Sequence, residues 1–202
     1  MRKIFVIAIL GILASCSSNS SSNLIREDAA TPAIDEQAML KLGDSIATHA
    51  QQILLANVSS AIKEHGFAGA VSFCNENAIT LTDSVSILHA SQISRVSDKA
   101  RNQNNELLNE MDKQAWAQIA AMMSDENAAN KHLIMREQNE VFYFKAIPLG
   151  MPTCLACHGV KGQDIAAETQ KEINIRYPLD KATGYTMGQL RGLWKIKLNT
   201  EL

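Results

Sequence analysis

The sequence predicts an α+β fold, because its hydrophobic periodicity changes from helical to extended along the chain. In the first part of the chain, apolar residues recur at the three- and four-residue spacing of amphipathic helices. Two β-rich runs, 132–136 and 140–147, follow and are joined by Gln138 and Asn139, as in a hairpin. Helices that precede an antiparallel sheet are typical of the α+β class.

Three helices are predicted before the hairpin. The first is a long amphipathic helix from residue 34 to about residue 64, which His65 and Gly66 end. The second covers about 68–81, and the third covers roughly 105–124. The apolar stripe of the first helix is formed by Met39, Leu42, Ile46, Ile53, Leu54, Val58 and Ile62, and that of the third by Leu107, Leu108, Met111, Ala115, Ile119 and Met122.

The N-terminus has the composition of a secretion signal. Two basic residues precede an apolar run over residues 4–12, which is too short to cross about 30 Å of hydrocarbon as a stable helix. The run ends in Leu-Ala-Ser-Cys16, which resembles a bacterial lipoprotein box. We therefore expect a signal peptide over residues 1–15 and a lipid on Cys16, with ordinary cleavage and a free thiol as the alternative. Ser17, rather than an aspartate, favours the periplasmic face of the outer membrane over the inner membrane.

Residues 16–33 are expected to form a disordered tether, and residues 34–202 a single domain. Residues 17–23 are almost entirely Ser and Asn, which cannot bury apolar surface. The whole chain carries a net charge of −2, and cleavage of the signal peptide would make it more acidic. Because no basic patch is interleaved with aromatic residues, the sequence predicts no nucleic-acid partner.

Cys154, Cys157 and His158 form a Cys-x-x-Cys-His motif. Two thiols at this spacing match the two vinyl groups of one porphyrin, and the histidine that follows matches its iron. The motif therefore predicts one covalent heme c with His158 as the proximal ligand, whose other ring nitrogen donates a hydrogen bond, commonly to a backbone carbonyl. A Cys154–Cys157 disulfide, a thiol redox pair and a zinc half-site are alternatives, although a second metal-binding pair and a βαβ context are missing.

The place of the motif in the chain bears on the fold. It lies in the loop after the second hairpin strand, and a further extended run over 193–198 follows it, while 93–97 is a weaker fourth strand. Small all-helical cytochromes carry the motif near the start of the domain, and four-helix-bundle cytochromes carry it at the end of the last helix. Neither arrangement fits, which again favours an α+β domain.

The sixth position on the iron needs a second ligand. Of the four cysteines, one is expected to take lipid and two to take heme, which leaves Cys74 as a lone thiol in an exported protein. Its alternative role is that of a small buried hydrophobic side chain. The residues that compete with it for the iron are His49, His65, His89, His132, Met151 and Met187.

Several segments carry a family resemblance. They are Val71-Ser72-Phe73-Cys74-Asn75, Arg95-Val96-Ser97-Asp98-Lys99, Arg101-Asn102, Cys154-Leu155-Ala156-Cys157-His158-Gly159, and the run from Tyr177-Pro178-Leu179-Asp180-Lys181-Ala182-Thr183-Gly184-Tyr185 to Leu190-Arg191-Gly192. Together they resemble the family of single c-type heme domains with a PAS-like fold, over residues 34–198. The resemblance implies a PAS-like antiparallel sheet with a long N-terminal helix and flanking helices. It also implies that Cys74 is the distal ligand of the heme iron and His158 the proximal ligand.

Two features of these segments remain open. The family usually has proline after the Arg-Asn pair, where Gln103 stands here. Arg95 and Arg101 are candidates either for contacts with the heme propionates or for capping loops.

The expected function is that of a periplasmic, lipid-anchored monoheme cytochrome. An iron held by a histidine and a thiolate has no open position, so we expect electron transfer, or sensing of redox state or a small ligand, rather than an enzyme. The thiolate charge would lower the potential by on the order of 100 mV. No signalling module follows residue 198, so we expect a separate redox or signalling partner. The alternatives are a peroxidase-like heme enzyme, with His132 as the nearest acid–base candidate, and a heme-free lipoprotein with a structural disulfide.

Overall fold

The computed structural model describes residues 35–126, 128 and 131–199. The predicted signal peptide, Cys16 and the tether lie outside the described residues. The predicted α+β architecture is confirmed, with an antiparallel sheet, a long N-terminal helix and flanking helices. The elements are α1 (Glu36–Leu88), β1 (Gln92–Val96), α2 (Glu110–Ser124), β2 (His132–Glu137), β3 (Glu140–Pro148), α3 (Leu155–His158), α4 (Ala167–Arg176) and β4 (Leu190–Leu198).

Helix α1 consists of two segments that meet at Gly66. This residue has φ 68° and ψ −176°, a backbone conformation that glycine adopts without steric cost. The interruption predicted at His65 and Gly66 is therefore confirmed. The second segment extends past the predicted end at residue 81, because Val85 is still buried and His89 closes the helix by donating its N–H to the Val85 carbonyl at 3.1 Å.

The sheet has four antiparallel strands in the order β1-β4-β3-β2. The predicted hairpin is confirmed, and Gln138 in its turn has a positive φ of 53°. Strand β4 begins at Leu190, earlier than residue 193, because it continues to pair with β3 through an irregularity between Ile147 and Pro148. The weaker predicted strand is also present, as β1.

Helices cover both faces of the sheet. On one face, the first segment of α1 packs Ile46 against Tyr143 and Ile196. Close contact is possible because Gly43 lies against Tyr143, where a Cβ would come within 2.3 Å of the tyrosine Cγ. On the other face, α2 packs Ile119 and its neighbours against strand residues such as Phe144. Successive side chains of β3 point to opposite faces, and because both faces are covered, the four residues from Val141 to Phe144 are all buried.

Helix α2 begins at Glu110, later than the predicted residue 105. The Asn109 side chain accepts the Asp112 backbone N–H at 2.8 Å and caps the helix there. A 3-10 turn over Gln103–Asn105 precedes it. Gln103 occupies the first helical position of this turn, a place that suits the proline usual in the family, so the departure leaves the turn intact. Leu108, predicted in the apolar stripe, is instead 74% exposed.

Helix α4 was not predicted from the sequence. Its buried residues are Thr169 and Ile173 only, so the apolar periodicity that identifies a helix is nearly absent. The helix is nevertheless well placed, since it packs against α1. Among the residues that the structure describes, no helix combines the length and the hydropathy that a membrane span requires.

Candidate functional site

The Cys-x-x-Cys-His motif forms a single helical turn. Pro152 opens a 3-10 turn that leads directly into α3, and α3 ends at His158. Residues three apart lie on the same face of a helix, so Cys154 and Cys157 project to one side. The turn closes against the next loop, where the carboxylate of Asp164 accepts the Val160 N–H at 2.7 Å.

The two thiols pack into separate apolar clusters. Cys157 packs with a group formed by α1, α4 and the loop between α3 and α4, namely Val71, Ile165, Ile173 and Tyr177. Cys154 packs with Leu149, Ala182 and Tyr185. Burial raises the pKa of the Cys157 thiol to about 11. None of the three described cysteines forms a disulfide.

Cys74 lies on the second segment of α1, one turn after Val71, and is partly buried. Because Val71 belongs to the cluster around Cys157, the helix face that carries Cys74 is the face turned to the motif. Burial raises the pKa of the Cys74 thiol, while the positive charges of Arg95 and Arg101 act in the opposite direction.

Helix α4 holds the Cys74 region in place. The Asn75 side chain donates to the Arg176 carbonyl at 3.3 Å, and the Glu76 carboxylate lies 3.2 Å from the Arg176 guanidinium. These contacts join the residues directly after Cys74 to the end of α4.

His158 has the hydrogen bond that the motif predicts. Its Nδ1 lies 2.9 Å from the carbonyl oxygen of Ala182, and the Tyr185 ring stands edge-on to the imidazole, 6.4 Å away. A neutral imidazole that donates from Nδ1 keeps a lone pair on Nε2, which is the atom available to a metal. Burial and the charges of Arg191 and Arg101 hold the pKa of His158 well below 6.5.

Arg101 is bound mainly by the protein itself. Its Nε lies 3.0 Å from Asp180 Oδ1, and its Nη2 donates to the carbonyls of Cys157 at 2.6 Å and Ala182 at 3.2 Å. The guanidinium therefore joins α3 to the segment after α4. This arrangement matches the loop-capping alternative, and the propionate contact stays a prediction.

Arg95 and Arg191 bring further positive charge to the same region. Arg95 lies near Cys74 and over the Trp194 ring at 5.8 Å, and burial lowers its pKa. Arg191, to which the sequence assigned no role, donates to Ser97 Oγ at 3.0 Å, and burial lowers its pKa to about 10. Neither guanidinium forms an ion pair with a carboxylate among residues 35–126 and 131–199. Arg191 stands among apolar residues at the start of β4, and a charged residue in such a run was the sequence signal that could have marked it as a site residue.

The other candidate iron ligands are held elsewhere in the described part of the chain. The imidazoles of His49 and His89 contact each other at 2.9 Å, and His65 is exposed beside Glu64 at the kink. The remaining three are His132, which packs on the Tyr143 ring, and Met151 and Met187, which are 44% and 43% exposed.

The residues around the motif fit a covalently attached, anionic iron group. Within the described residues, no group of three or more His, Cys, Asp or Glu side chains could hold a metal ion. Arg95, Arg101 and Arg191 lie near His158, and Arg101 pairs with Asp180. The Tyr185 hydroxyl is buried and makes no hydrogen bond of good geometry with a described residue. Both features suit the acidic groups of a porphyrin.

The fold and site define a small α+β domain in which a thiol-bearing helix packs against a Cys-x-x-Cys-His turn. The model of the Tll0287-like family, described as Tll0287, matches residues 25–199, and the chain belongs to this family. The family agrees with the resemblance seen in the sequence. No curated protein matches the chain.

A solved structure with a similar fold is the crystal structure of the cyanobacterial heme-protein Tll0287. It has a TM-score of 0.60 and 22% sequence identity, and the alignment covers 81% of this chain and 96% of that chain. At this identity the similarity concerns the fold.

Proposed function

We propose that this protein is a monoheme c-type cytochrome, with the heme bound through Cys154 and Cys157 and with His158 as the proximal ligand. The observation that carries the proposal is the geometry of His158. Its Nδ1 is engaged by the Ala182 carbonyl at 2.9 Å, which leaves Nε2 for iron at the end of a turn that presents two thiols. Membership of a family whose namesake is a heme-protein supports it.

Cys74 is the proposed distal ligand. The proposal is supported by its helix, which contributes Val71 to the apolar cluster around Cys157. A negative charge on Cys74 would raise the pKa of the Cys157 thiol, in agreement with this proximity. A thiolate is the form of cysteine that binds metal, and the positive charges of Arg95 and Arg101 favour that form. The guanidinium groups thus offset part of the cost that burial imposes on the thiolate.

Electron transfer is the proposed activity, with a separate redox protein as the partner. A heme bound in this way supplies a one-electron carrier. His158 and Cys74 would hold its iron and leave no position for a substrate, so we propose no catalytic residue. A peroxidase would need a distal acid–base group, and His132, the nearest candidate, packs on Tyr143 in the hairpin. A lipid on Cys16 would keep the domain at the periplasmic face of the outer membrane.

Redox or small-ligand sensing through a partner is the second proposed function, and one observation favours it. Cys74 lies on α1 just beyond the kink at Gly66, whose φ is 68°. Binding or release of the Cys74 thiol would therefore act on a helix that is interrupted at Gly66. The first segment of that helix packs on the sheet, so a movement of the second segment could be transmitted to the sheet.

The test is the mass and spectrum of the full-length protein produced with a heme-attachment system. We expect the intact mass to exceed that of the lipid-modified chain by one heme, and a pyridine hemochrome spectrum typical of two thioether bonds. The Cys154→Ser, Cys157→Ser double variant is the matched control and should lose the covalent heme. Two free thiols at these positions in the wild-type protein, with no added mass, would contradict the proposal.

A further inference from the structure

The peptide group of Ala182 is the partner that orients His158. Ala182 is completely buried, and its carbonyl lies 2.9 Å from Nδ1 of the imidazole. The contact joins residues 24 positions apart in the sequence, so it depends on how the loop after α4 is folded. A backbone carbonyl can accept but not donate, so this contact requires the proton to be on Nδ1.

Asp180 and Arg101 bind the two backbone polar groups of Ala182. The Asp180 Oδ1 accepts the Ala182 N–H at 3.0 Å, and Arg101 Nη2 donates to the Ala182 oxygen at 3.2 Å. The two side chains also pair with each other, with Arg101 Nε 3.0 Å from Asp180 Oδ1 and with side-chain exposures of 11% and 5%. Because Arg101 also donates to the Cys157 carbonyl at 2.6 Å, one guanidinium holds both the motif and the group that orients its histidine.

A second group competes for the same nitrogen. Nε of Arg191 lies 3.3 Å from His158 Nδ1, and Arg191 is itself held by Ser97 Oγ at 3.0 Å. A guanidinium can only donate, so a hydrogen bond from Arg191 requires a lone pair on Nδ1 and a proton on Nε2. That tautomer has no lone pair directed at a metal on Nε2. The shorter contact to Ala182 selects the other tautomer.

We infer that Asp180 is a positioning residue which, with Arg101, holds the Ala182 carbonyl on His158 and so keeps the imidazole in the tautomer that binds iron through Nε2. The identity of the iron group rests on the proposed function, whereas the hydrogen bonds that select the tautomer do not. Groups that hydrogen-bond to a metal ligand, as the Ala182 carbonyl does to His158, commonly decide the orientation of that ligand and the affinity for the metal.

The test compares Asp180→Asn with Asp164→Asn in the full-length, heme-loaded protein. Asparagine keeps the shape of the Asp180 side chain but loses the charge that holds Arg101. Asp164 is the matched control, because its carboxylate also lies beside the motif yet accepts the Val160 N–H, at 2.7 Å, rather than a group that contacts His158. We expect Asp180→Asn to speed exchange of the His158 Nδ1 proton about tenfold, as for loss of roughly one hydrogen bond, and to lower the iron–histidine stretching frequency. Asp164→Asn should change neither.

Removal of the competing donor, Arg191, provides a second experiment. In the Asp180→Asn background, Arg191→Gln should slow the exchange again, because no guanidinium then draws Nδ1 away from the carbonyl. If Asp180→Asn and Asp164→Asn changed the exchange rate and the stretching frequency equally, loss of a negative charge would explain the effect, and the inference would be overturned. Failure of Arg191→Gln to change the exchange rate of Asp180→Asn would also count against it.

Failure of the proposed function can be told apart from failure of this inference. If the wild-type protein takes up no heme, the cytochrome proposal fails, and the His158 tautomer is then measured from imidazole ¹⁵N shifts of the heme-free full-length chain. We expect the Nδ1–H tautomer in the wild type and a several-fold rise of the Nε2–H tautomer in Asp180→Asn. A wild-type imidazole that is mainly in the Nε2–H form would refute the positioning role.

Discussion

At the scale of single residues, the environment of Cys74 combines burial with positive charge. Burial disfavours the thiolate, and Arg95 and Arg101 favour it. When a thiolate binds ferric iron, its negative charge disfavours the added electron. We therefore predict that Cys74→Ala keeps the covalent heme, raises the reduction potential by on the order of 100 mV, and opens the sixth position to cyanide. A redox titration and the ferric visible and EPR spectra measure these effects.

Ser72→Ala is the matched control for that change. Ser72 lies on the same helix segment, and its hydroxyl donates a hydrogen bond to the Glu76 carboxylate at 3.4 Å. This variant should keep the potential and spectrum of the wild type. An unchanged ferric spectrum in Cys74→Ala would mean that another group is the distal ligand, and fast cyanide binding by the wild-type protein would revive the peroxidase alternative.

The Cys157 thiol gives a pH prediction for the heme-free protein. Its pKa in the folded chain is about 11, against an ordinary value of 9.0, so between these values the unfolded chain binds fewer protons than the folded chain. The stability should therefore fall as pH rises through this range, by about 2 kcal/mol. Urea unfolding at pH 8 to 11 measures the loss. Cys157→Ser should reduce this decrease of the free energy of unfolding with pH. Heme attachment should reduce it too, because a thioether carries no titratable proton.

The motif could be predicted from the sequence because its chemistry lies within five consecutive residues. The groups that support it could not. Ala182 acts through a backbone carbonyl, which no side-chain pattern reveals. Asp180 accepts the backbone N–H of the same residue. Arg191 contacts His158 although the two residues are 33 positions apart in the sequence. Such contacts depend on tertiary structure rather than on spacing along the chain.

At the scale of secondary-structure elements, a buried ion pair joins α2 to the sheet. Lys195 Nζ lies 2.6 Å from Asp112 Oδ1, and the two side chains are 17% and 3% exposed. Removal of one partner leaves the other charge buried without compensation. We predict that Asp112→Ala lowers the free energy of unfolding by about 3 kcal/mol, measured by urea denaturation.

Glu110→Ala provides the comparison on the same helix. Glu110 pairs with Lys113 at 2.7 Å, but the two side chains are 78% and 56% exposed. Exposed pairs contribute little because water and salt screen them, so we expect a change within about 0.5 kcal/mol. Similar decreases in the free energy of unfolding of Asp112→Ala and Glu110→Ala would show that burial of the ion pair does not affect its contribution to stability.

The elements with strong periodicity were the ones that the sequence predicted. The hairpin has two β-rich apolar runs on either side of a turn, and α1 has a long apolar stripe interrupted at Gly66. Helix α4 escaped prediction because it buries only Thr169 and Ile173, and its position depends on polar contacts such as that between Arg176 and Glu76. Tertiary contacts, rather than local propensity, explain this element.

At the scale of the whole molecule, the sheet supports the site and the helices complete it. Four distant parts of the chain meet there: the second segment of α1, the end of β1 with the turn that follows, α3, and the segment from Asp180 to the start of β4. Strands β2 and β3 supply mainly the two-sided core. Changes in the hairpin should therefore act on stability, whereas changes in the four parts should act on the heme.

At the same scale, the sequence predicts that a lipid on Cys16 attaches the molecule to a membrane, and Cys16 lies outside the described residues. Since the lipid is the predicted anchor, we predict that Cys16→Ala releases the heme-loaded domain into the soluble periplasmic fraction. Ser17→Asp is the matched variant, because it keeps the cysteine but should redirect the lipoprotein from the outer to the inner membrane. Membrane fractionation, followed by heme-stained gels and metabolic labelling with palmitate, measures both effects. A Cys16→Ala protein that stays in the membrane fraction would require a different anchor.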